Sequence, residues 1–275
     1  MLENSGKFGV TFDLWETLIF DKPEMDDARG RMRCKGILDA LERFDVSLPL
    51  EDVERAYEES AAKLQEVWDQ NREVSTLEQV FLIIELAGSR VDRIRASPEV
   101  TQALVAGYVE PIITLPPGLG EDVVSTLEEL RALGTKIGLI SNTGRGPGEA
   151  LRRLLQNYGV MKYFDALTFS NEVGCRKPDP RIFKQAVSEL GLESTQVMHV
   201  GDNPDTDFQG ARHAGMRAVL FEPKLLNPTQ WGPNSLFALS RRHEHSFGAS
   251  IEPDLRVESL RNVPILIKRL MDASG

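Results

Sequence analysis

The chain has 275 residues, enough for one large domain or two modest ones, and 41% of them are hydrophobic, as in ordinary globular proteins. Its formal net charge of −10 argues against a broad surface for nucleic acid or for an anionic membrane. That charge is still compatible with a small anionic substrate, because a metal ion and a few placed cations can reverse the field locally.

Two further features bear on the compartment. The N-terminal stretch MLENSGKFGV lacks the basic-then-apolar pattern of a signal peptide, and the apolar stretch 80–87 is too short to span a bilayer. The two cysteines, Cys34 and Cys175, have neither metal-like nor disulfide-like spacing. We therefore expect a cytoplasmic protein whose cysteines are packing residues in a reducing environment.

The first hundred residues predict one strand followed by helices. Residues 7–12 (KFGVTF) are typical of a short buried strand that ends at Asp13. After it, apolar residues recur every three or four positions, which predicts helices at about 25–44 and 50–71. Two more helices are expected after Ser75, which forms a capping-box pattern with Glu78, and after the Ser97-Pro98 pair. Four helices without intervening strands indicate a small helical domain, with Trp68 and Phe81 in its interior.

Beyond the proline- and glycine-rich stretch 111–120, helices and strands alternate. The predicted strands are 136–140, 165–169, 197–200 and 217–221, and the predicted helices are 121–133, 147–158, 180–190 and 207–214. Alternation with apolar strands predicts an α/β fold with a parallel sheet covered on both faces. Ligands of such sheets bind just beyond the carboxyl ends of the strands, so the polar residues there are the first functional candidates.

Polar residues of a coherent chemical kind follow these strands: Asp13, Ser141, Lys177, Asp202 and Asp207. Carboxylates with a backbone carbonyl suit a hard octahedral cation such as Mg²⁺, and a carboxylate is a covalent nucleophile in phosphoryl transfer. A hydroxyl, a lysine and a metal can spread the charge of the transferring group. Taken singly, each motif also fits a turn or a helix start. Only the set in this order predicts an active site.

The same motifs, DLWETL, SN, KPDP and GDNPDTD, resemble those of the haloacid dehalogenase-like hydrolase superfamily over about residues 8–221. The resemblance implies a Rossmann-like core with a cap inserted after the first strand. On that basis we expect the core to comprise residues 1–20 and 113–275, and a helical cap to comprise residues 21–112.

The resemblance also implies a role for each motif residue. Asp13 would be the nucleophile that attacks a small phosphate ester. Mg²⁺ would be held by Asp13, Asp202 and the main-chain carbonyl of Trp15, with Asp207 as an inner- or outer-sphere ligand.

The remaining motif residues are implied to bind substrate. Ser141 would hydrogen-bond the phosphoryl oxygens, and Lys177 would hold nucleophile and phosphate in register. Asn142 and Thr17, in the same motifs, are substrate-binding candidates.

One position departs from the family pattern. Phosphomonoesterases of this superfamily usually carry an aspartate two residues after the nucleophile, as general acid and then base, where this chain has Trp15. The indole N–H is only a donor, and general acid–base help is worth roughly 10²–10⁴-fold. The neighbouring Glu16 is a candidate substitute, although its side chain is expected to point elsewhere. The sequence resembles the branch that includes the haloacid dehalogenase-like hydrolase domain-containing 3 proteins, which also lacks this aspartate.

Three functions therefore remain open. The first is a magnesium-dependent phosphatase that prefers good leaving groups. The second is a catalytically weak or inactive member that binds a phosphate ligand. The third is a 2-haloacid dehalogenase, a branch with tyrosine in place of Trp15 and no need of metal, against which Asp202 argues.

Further candidates lie outside the motifs. Arg29 and Arg33, one helical turn apart, could clamp a substrate anion, but a solvated basic face paired with nearby acids is the interpretation we favour. His243 and His245 lie in a segment, 225–253, that is expected to be a surface loop. His199, inside an apolar strand, is expected to be a packed, hydrogen-bonded histidine. The sequence leaves the oligomeric state open.

Overall fold

A computed structural model describes residues 8–223 and 256–273. The strands are β1 (Gly9–Phe12), β2 (Ile19–Phe20), β3 (Gly118–Leu119), β4 (Lys136–Ser141), β5 (Ala166–Phe169), β6 (Val197–Gly201), β7 (Arg217–Phe221) and β8 (Arg256–Val257). The helices are α1 (Pro23–Glu42), α2 (Leu50–Trp68), α3 (Thr76–Leu86), α4 (Asp92–Arg95), α5 (Pro98–Val109), α6 (Pro111–Thr114), α7 (Val123–Ala132), α8 (Gly148–Asn157), α9 (Ser170–Val173), α10 (Pro180–Leu190), α11 (Gly210–His213) and α12 (Asn262–Asp272).

The main sheet has the strand order β5-β4-β1-β6-β7-β8, and its neighbouring strands are parallel. Each face is covered by helices. Leu127 of α7, Leu154 of α8 and Ile267 of α12 pack in one buried cluster with the strands, and Ile182 and Phe183 of α10 pack in another. The predicted α/β class with a parallel sheet is confirmed. Because β1 lies between β4 and β6, the loops after these three strands converge at one edge.

Helices α1 to α6 form a helical unit with a hydrophobic cluster of its own, which includes Ile37, Phe81, Leu104 and Tyr108. The chain leaves and returns through a two-stranded antiparallel ribbon, in which Ile19 of β2 pairs with Leu119 of β3. These helices follow the first strand, as predicted. The boundaries 1–20, 21–112 and 113–275 remain a prediction.

Helix starts agree with the predictions in part. The Ser75 hydroxyl accepts the Glu78 N–H at 3.2 Å, whereas Ser97 makes no side-chain cap. The helix predicted at 207–214 instead starts as a π-helical turn, Pro204–Gln209, which continues into α11. In the parts of the chain with described structure, no helix is both long and apolar enough to cross a membrane.

The helical unit contains one contact that tolerates no side chain. A Cβ on Gly36 of α1 would lie 2.5 Å from the carbonyl oxygen of Gly107 in α5, and a Cβ on Gly107 would lie 2.7 Å from the oxygen of Gly36. Both atoms that would be hit belong to helix backbone, so the two helices would have to separate.

We expect Gly36→Ala to lower the free energy of unfolding by about 1–3 kcal/mol, because overpacking forces the backbones apart. Gly30→Ala in the same helix is the control, since its Cβ would meet only the Tyr57 side chain, at 3.1 Å. It should stay within about 1 kcal/mol of the parent, helped by helix propensity. Urea unfolding measures both, and equal stabilities would contradict the close contact.

Candidate active site

The edge where β1, β4 and β6 end holds a cluster of carboxylates. Asp13 follows β1, and Asp202 and Asp207 follow β6. Each offers one oxygen, and these three oxygens lie within 4.8 Å of one another. Asp13 and Asp207 are buried, and Asp202 is half-buried. The structure thus brings together the acidic residues that the sequence singled out.

The Lys177 ammonium lies between two of these carboxylates. It donates to Asp13 Oδ1, to Asp207 Oδ1 at 2.6 Å, and to the Ile140 carbonyl at 3.0 Å. The Asn142 side chain binds the backbone of the lysine, accepting the Lys177 N–H at 2.8 Å and donating to its carbonyl at 3.0 Å. These two bonds fix the backbone of Lys177, and the role of Asn142 in substrate binding stays a prediction.

A second layer of hydrogen bonds orients Asp207. His199 Nε2 lies 3.1 Å from Asp207 Oδ1, and His199 Nδ1 lies 2.9 Å from the Thr11 hydroxyl. The Asn203 N–H donates to the other Asp207 oxygen at 3.1 Å. An ionised carboxylate can only accept, so Nε2 carries the proton that points at Asp207 and Nδ1 accepts from Thr11. The packed, hydrogen-bonded histidine expected from the sequence thus supports the acidic cluster.

The buried charges shift one another's pKa values. Burial raises the pKa of Asp13 to about 6, with Lys177 opposing the rise and Asp207 adding to it. Burial also favours protonation of Asp207, but Lys177 and His199 hold its pKa below the ordinary value. The pKa of Lys177 is raised, because its two carboxylate partners outweigh burial. Burial lowers the pKa of His199, which stays neutral.

The donor set fits a hard divalent cation. Asp13, Asp202 and Asp207 carry three negative charges against the one positive charge of Lys177, an excess that Mg²⁺ would neutralise with oxygen ligands. Among described residues no N–H or O–H donates to the Trp15 carbonyl, and its role as a ligand stays a prediction. Both Asp207 oxygens already accept hydrogen bonds, which favours an outer position for this residue.

The loop after Asp13 contains two further residues that the sequence analysis named, Glu16 and Thr17. Glu16 has a left-handed backbone (φ 57°), and its carboxylate accepts the Asp21 N–H at 3.3 Å, so it faces the β2 ribbon. The Thr17 hydroxyl is buried and has no hydrogen-bond partner among the described residues.

The Ser141 hydroxyl, at the end of β4, makes only a long contact of 3.5 Å with the Asn142 carbonyl. It therefore has capacity left for a ligand.

Arg29 and Arg33 of α1 are buried and not solvated as we expected, although Arg29 is paired with nearby acids as that interpretation also predicted. Arg29 is 1% exposed and pairs with Asp21 and, at 3.6 Å, with Asp26, while it also donates to the Leu115 carbonyl. Arg33 is 3% exposed and donates to the Tyr57 hydroxyl at 3.0 Å. Helix periodicity could not predict this burial, because it does not show which other elements pack over a helix face. His243 and His245, with segment 225–253, lie outside the described residues.

Arg176, which the sequence did not single out, ties the site to the helical unit. It stacks over the Trp68 ring at 4.5 Å, donates to Glu73 Oε1 at 2.5 Å, and donates to the Thr143 carbonyl at 2.6 Å. Arg176 directly precedes Lys177 in the chain, and its side chain contacts the loop that follows Ser141. No local pattern predicts a pair separated by 103 positions.

Comparison with known proteins identifies the family of this chain. A family model described as haloacid dehalogenase-like hydrolase matches residues 9–215. A glyceraldehyde 3-phosphate phosphatase of Methanopyrus kandleri is 37% identical over 46% of this chain and 54% of its own length. A phosphoserine phosphatase of Thermus thermophilus is 36% identical over 50% of this chain and 46% of its own.

A third relative is the human haloacid dehalogenase-like hydrolase domain-containing protein 3, 38% identical over 38% of this chain and 40% of its own. The chain thus spans about half or less of the length of these relatives. Among solved structures, a 2-haloacid dehalogenase of Pseudomonas syringae pv. Tomato superposes with a TM-score of 0.62, covering 96% of this chain and 99% of its own. At 23% identity this likeness concerns the fold alone.

The ion pair between Arg176 and Glu73 connects the site to the helical unit, and its contribution to the free energy of unfolding can be measured. Both side chains are about nine-tenths buried, so removing either partner leaves an uncompensated charge. We expect Glu73→Gln and Arg176→Met each to cost about 3–5 kcal/mol, and the double variant to cost less than the sum. Urea unfolding of the four proteins measures the coupling, and additive losses would mean that the pair contributes nothing.

Proposed function

This chain belongs to the haloacid dehalogenase-like hydrolases, and from that premise we propose that it is a magnesium-dependent phosphatase acting on a small phosphorylated metabolite through an aspartyl-phosphate on Asp13. One observation carries the proposal: the carboxylate of Asp13 is held by Lys177 inside a buried acidic cluster. Relatives described as phosphatases for glyceraldehyde 3-phosphate and for phosphoserine support a phosphate ester as substrate.

The proposed reaction assigns each side chain a task. The Asp13 carboxylate attacks phosphorus in line, the ester oxygen leaves, and water then hydrolyses the acyl phosphate. Lys177 holds Asp13 in place and faces the transferring charge, and the Ser141 hydroxyl donates to a phosphoryl oxygen. Asp13, Asp202 and the Trp15 carbonyl would hold magnesium, with Asp207 as an inner- or outer-sphere ligand, and the bound ion would supply positive charge to the same group.

Trp15 and Glu16 shape the substrate preference. Trp15 supplies no proton for the leaving oxygen, and Glu16 is bonded toward Asp21 rather than standing in as an acid. Esters whose alcohol leaves without protonation, such as aryl or acyl phosphates, are therefore the favoured substrates.

We propose the cytoplasm as the compartment of this protein. The two buried thiols, Cys34 and Cys175, form no disulfide, which suits a reducing environment.

Trp15 also favours a second candidate, a weakly active protein that binds a phosphate ligand. A 2-haloacid dehalogenase is the third, disfavoured because the acidic cluster is most stable with a cation present.

We expect Asp13→Asn to lower phosphate release from p-nitrophenyl phosphate by about 10⁴-fold or more, since the nucleophile is lost. Asp205→Asn is the matched control, an acid of the same segment as Asp207 that is not one of the three clustered carboxylates, and its rate should stay near the parent's. Both variants should keep the parent's circular dichroism. Full activity of Asp13→Asn would refute the covalent mechanism.

We also expect p-nitrophenyl phosphate to be hydrolysed at least about 10²-fold faster than alkyl or sugar phosphates, because general acid help is missing. Phosphate release from a panel of esters, with magnesium and with a chelator, measures this ratio. Equal rates would reveal an acid in the site.

The same panel separates the three candidates. Release that stops with the chelator supports the phosphatase. Tight binding of phosphate ligands without any release supports the binding protein. Chloride release from 2-chloropropionate that ignores the chelator supports the dehalogenase.

A further inference from the structure

A row of three buried side chains connects the first strand to the acidic cluster. Thr11 of β1 and His199 of β6 are register partners on neighbouring strands, and the Thr11 hydroxyl lies 2.9 Å from His199 Nδ1. His199 Nε2 in turn lies 3.1 Å from Asp207 Oδ1. Each of the three residues is 1% exposed or less, so the row belongs to the protein interior, where polar groups depend on hydrogen-bond partners.

Only one tautomer of His199 fits the whole row. Asp207 accepts from the Lys177 ammonium at 2.6 Å and is ionised beside it, so its Oδ1 can only accept from His199. The imidazole proton therefore lies on Nε2, and Nδ1 is left as an acceptor. The Thr11 hydroxyl can rotate its proton toward Nδ1 and supplies the donor that this nitrogen needs. Thr11 thus stabilises the tautomer that points its N–H at Asp207.

Hydrogen bonds and a close backbone contact fix the orientation of the Asp207 carboxylate. Oδ1 accepts from Lys177 and from His199, and Oδ2 accepts the Asn203 N–H at 3.1 Å. The carboxyl group also lies against the backbone of Gly201, because a Cβ added there would be only 2.4 Å from Asp207 Cγ. The carboxylate is therefore held in one rotational position.

The two donors to Asp207 Oδ1 differ in what else they bind. Lys177 also donates to Asp13, whereas the N–H of His199 has Asp207 as its one acceptor among the described residues. His199 can therefore hold Oδ1 in place while the ammonium of Lys177 stays between the two carboxylates.

Building on the proposed phosphatase function, we propose that His199, set in its tautomer by Thr11, is a positioning residue that keeps Asp207 oriented toward Lys177 and the metal site. Without the N–H of His199, the carboxylate can turn about its Cβ–Cγ bond and draw Lys177 away from Asp13. Binding of a cation then has to restore the original arrangement, which weakens that binding. In this role both Thr11 and His199 act through Asp207.

Two amide variants of His199 separate the two ends of the ring. The glutamine amide nitrogen takes the place of Nε2 and can donate to Asp207, whereas the asparagine side chain reaches only the place of Nδ1. We expect His199→Asn to bind Mn²⁺, a cation that shares the oxygen ligands of Mg²⁺, about tenfold more weakly than the unaltered protein. His199→Gln should stay within about twofold, because the donor to Asp207 is restored. Electron paramagnetic resonance of free Mn²⁺ measures both affinities without any substrate.

Thr11→Val tests the far end of the row with a nearly isosteric change. We expect it to weaken Mn²⁺ binding about three- to fivefold, since one neutral hydrogen bond that fixes the ring is lost. In a His199→Asn background it should weaken binding no further, because the connection to Asp207 is already cut. Thr168→Val is the matched control: Thr168 is a buried strand threonine whose hydroxyl donates to Glu189 at 3.0 Å rather than to the row, and its loss should leave the affinity unchanged.

Equal affinities of His199→Gln and His199→Asn would overturn the proposal, and so would the lack of saturable Mn²⁺ binding by the unaltered protein. If neither His199 variant folds, Thr11→Val decides, because an affinity equal to that of Thr168→Val would overturn the proposal as well. Failure of the phosphatase proposal is distinguishable, because it is measured on the unaltered protein as the lack of metal-dependent release from p-nitrophenyl phosphate.

Discussion

The buried ammonium of Lys177 is the interaction on which the site depends. Taking three charged groups out of water costs several kcal/mol each unless they are paired and hydrogen-bonded. Lys177 meets this condition by donating to Asp13, Asp207 and a strand carbonyl, while Asn142 fixes its backbone. This geometry depends on the position of β1 between β4 and β6, which brings the loops after all three strands close together. The order of the strands is therefore a condition for the formation of the site.

The same loops also contact the helical unit. Arg145 and Gly144 follow Ser141 and bind Tyr108 and Gln79, and Arg176 precedes Lys177 and binds Glu73. A displacement of the helices would therefore pull on both loops that present polar groups to the acidic cluster. Gly36 and Gly107 let α1 and α5 approach closely enough for Arg33 and Tyr108 to meet. The packing of α1 against α5, far from the sheet edge, therefore influences the geometry of the loops at that edge.

The sequence predicted what depends on local pattern. The strands of the sheet are apolar and continuous. The rule that ligands bind beyond strand ends, together with the family resemblance, selected Asp13, Lys177 and Asp207, which the structure brings together. Contacts between residues that are far apart in the chain leave no such local pattern in the sequence. Arg33 contacts Tyr57 and Tyr108, which belong to other helices, and the two-residue strands β2 and β3 are too short for any periodicity.

Trp15 separates two parts of catalysis that usually occur together in this family. In the proposed reaction, the charge of the transferring phosphoryl group is stabilised by Lys177, by the Ser141 hydroxyl and by the cation that the acidic cluster would hold. Protonating the leaving oxygen needs an acid near the nucleophile, and the neighbouring Glu16 is bonded to the backbone of the ribbon instead. Electrostatic stabilisation is usually the larger contribution and acid–base help the smaller, at roughly 10²–10⁴-fold. In the proposed phosphatase, the lack of this acid would therefore narrow the range of leaving groups more than it would weaken attack at phosphorus. Binding energy from other parts of the substrate would then contribute more to substrate selection.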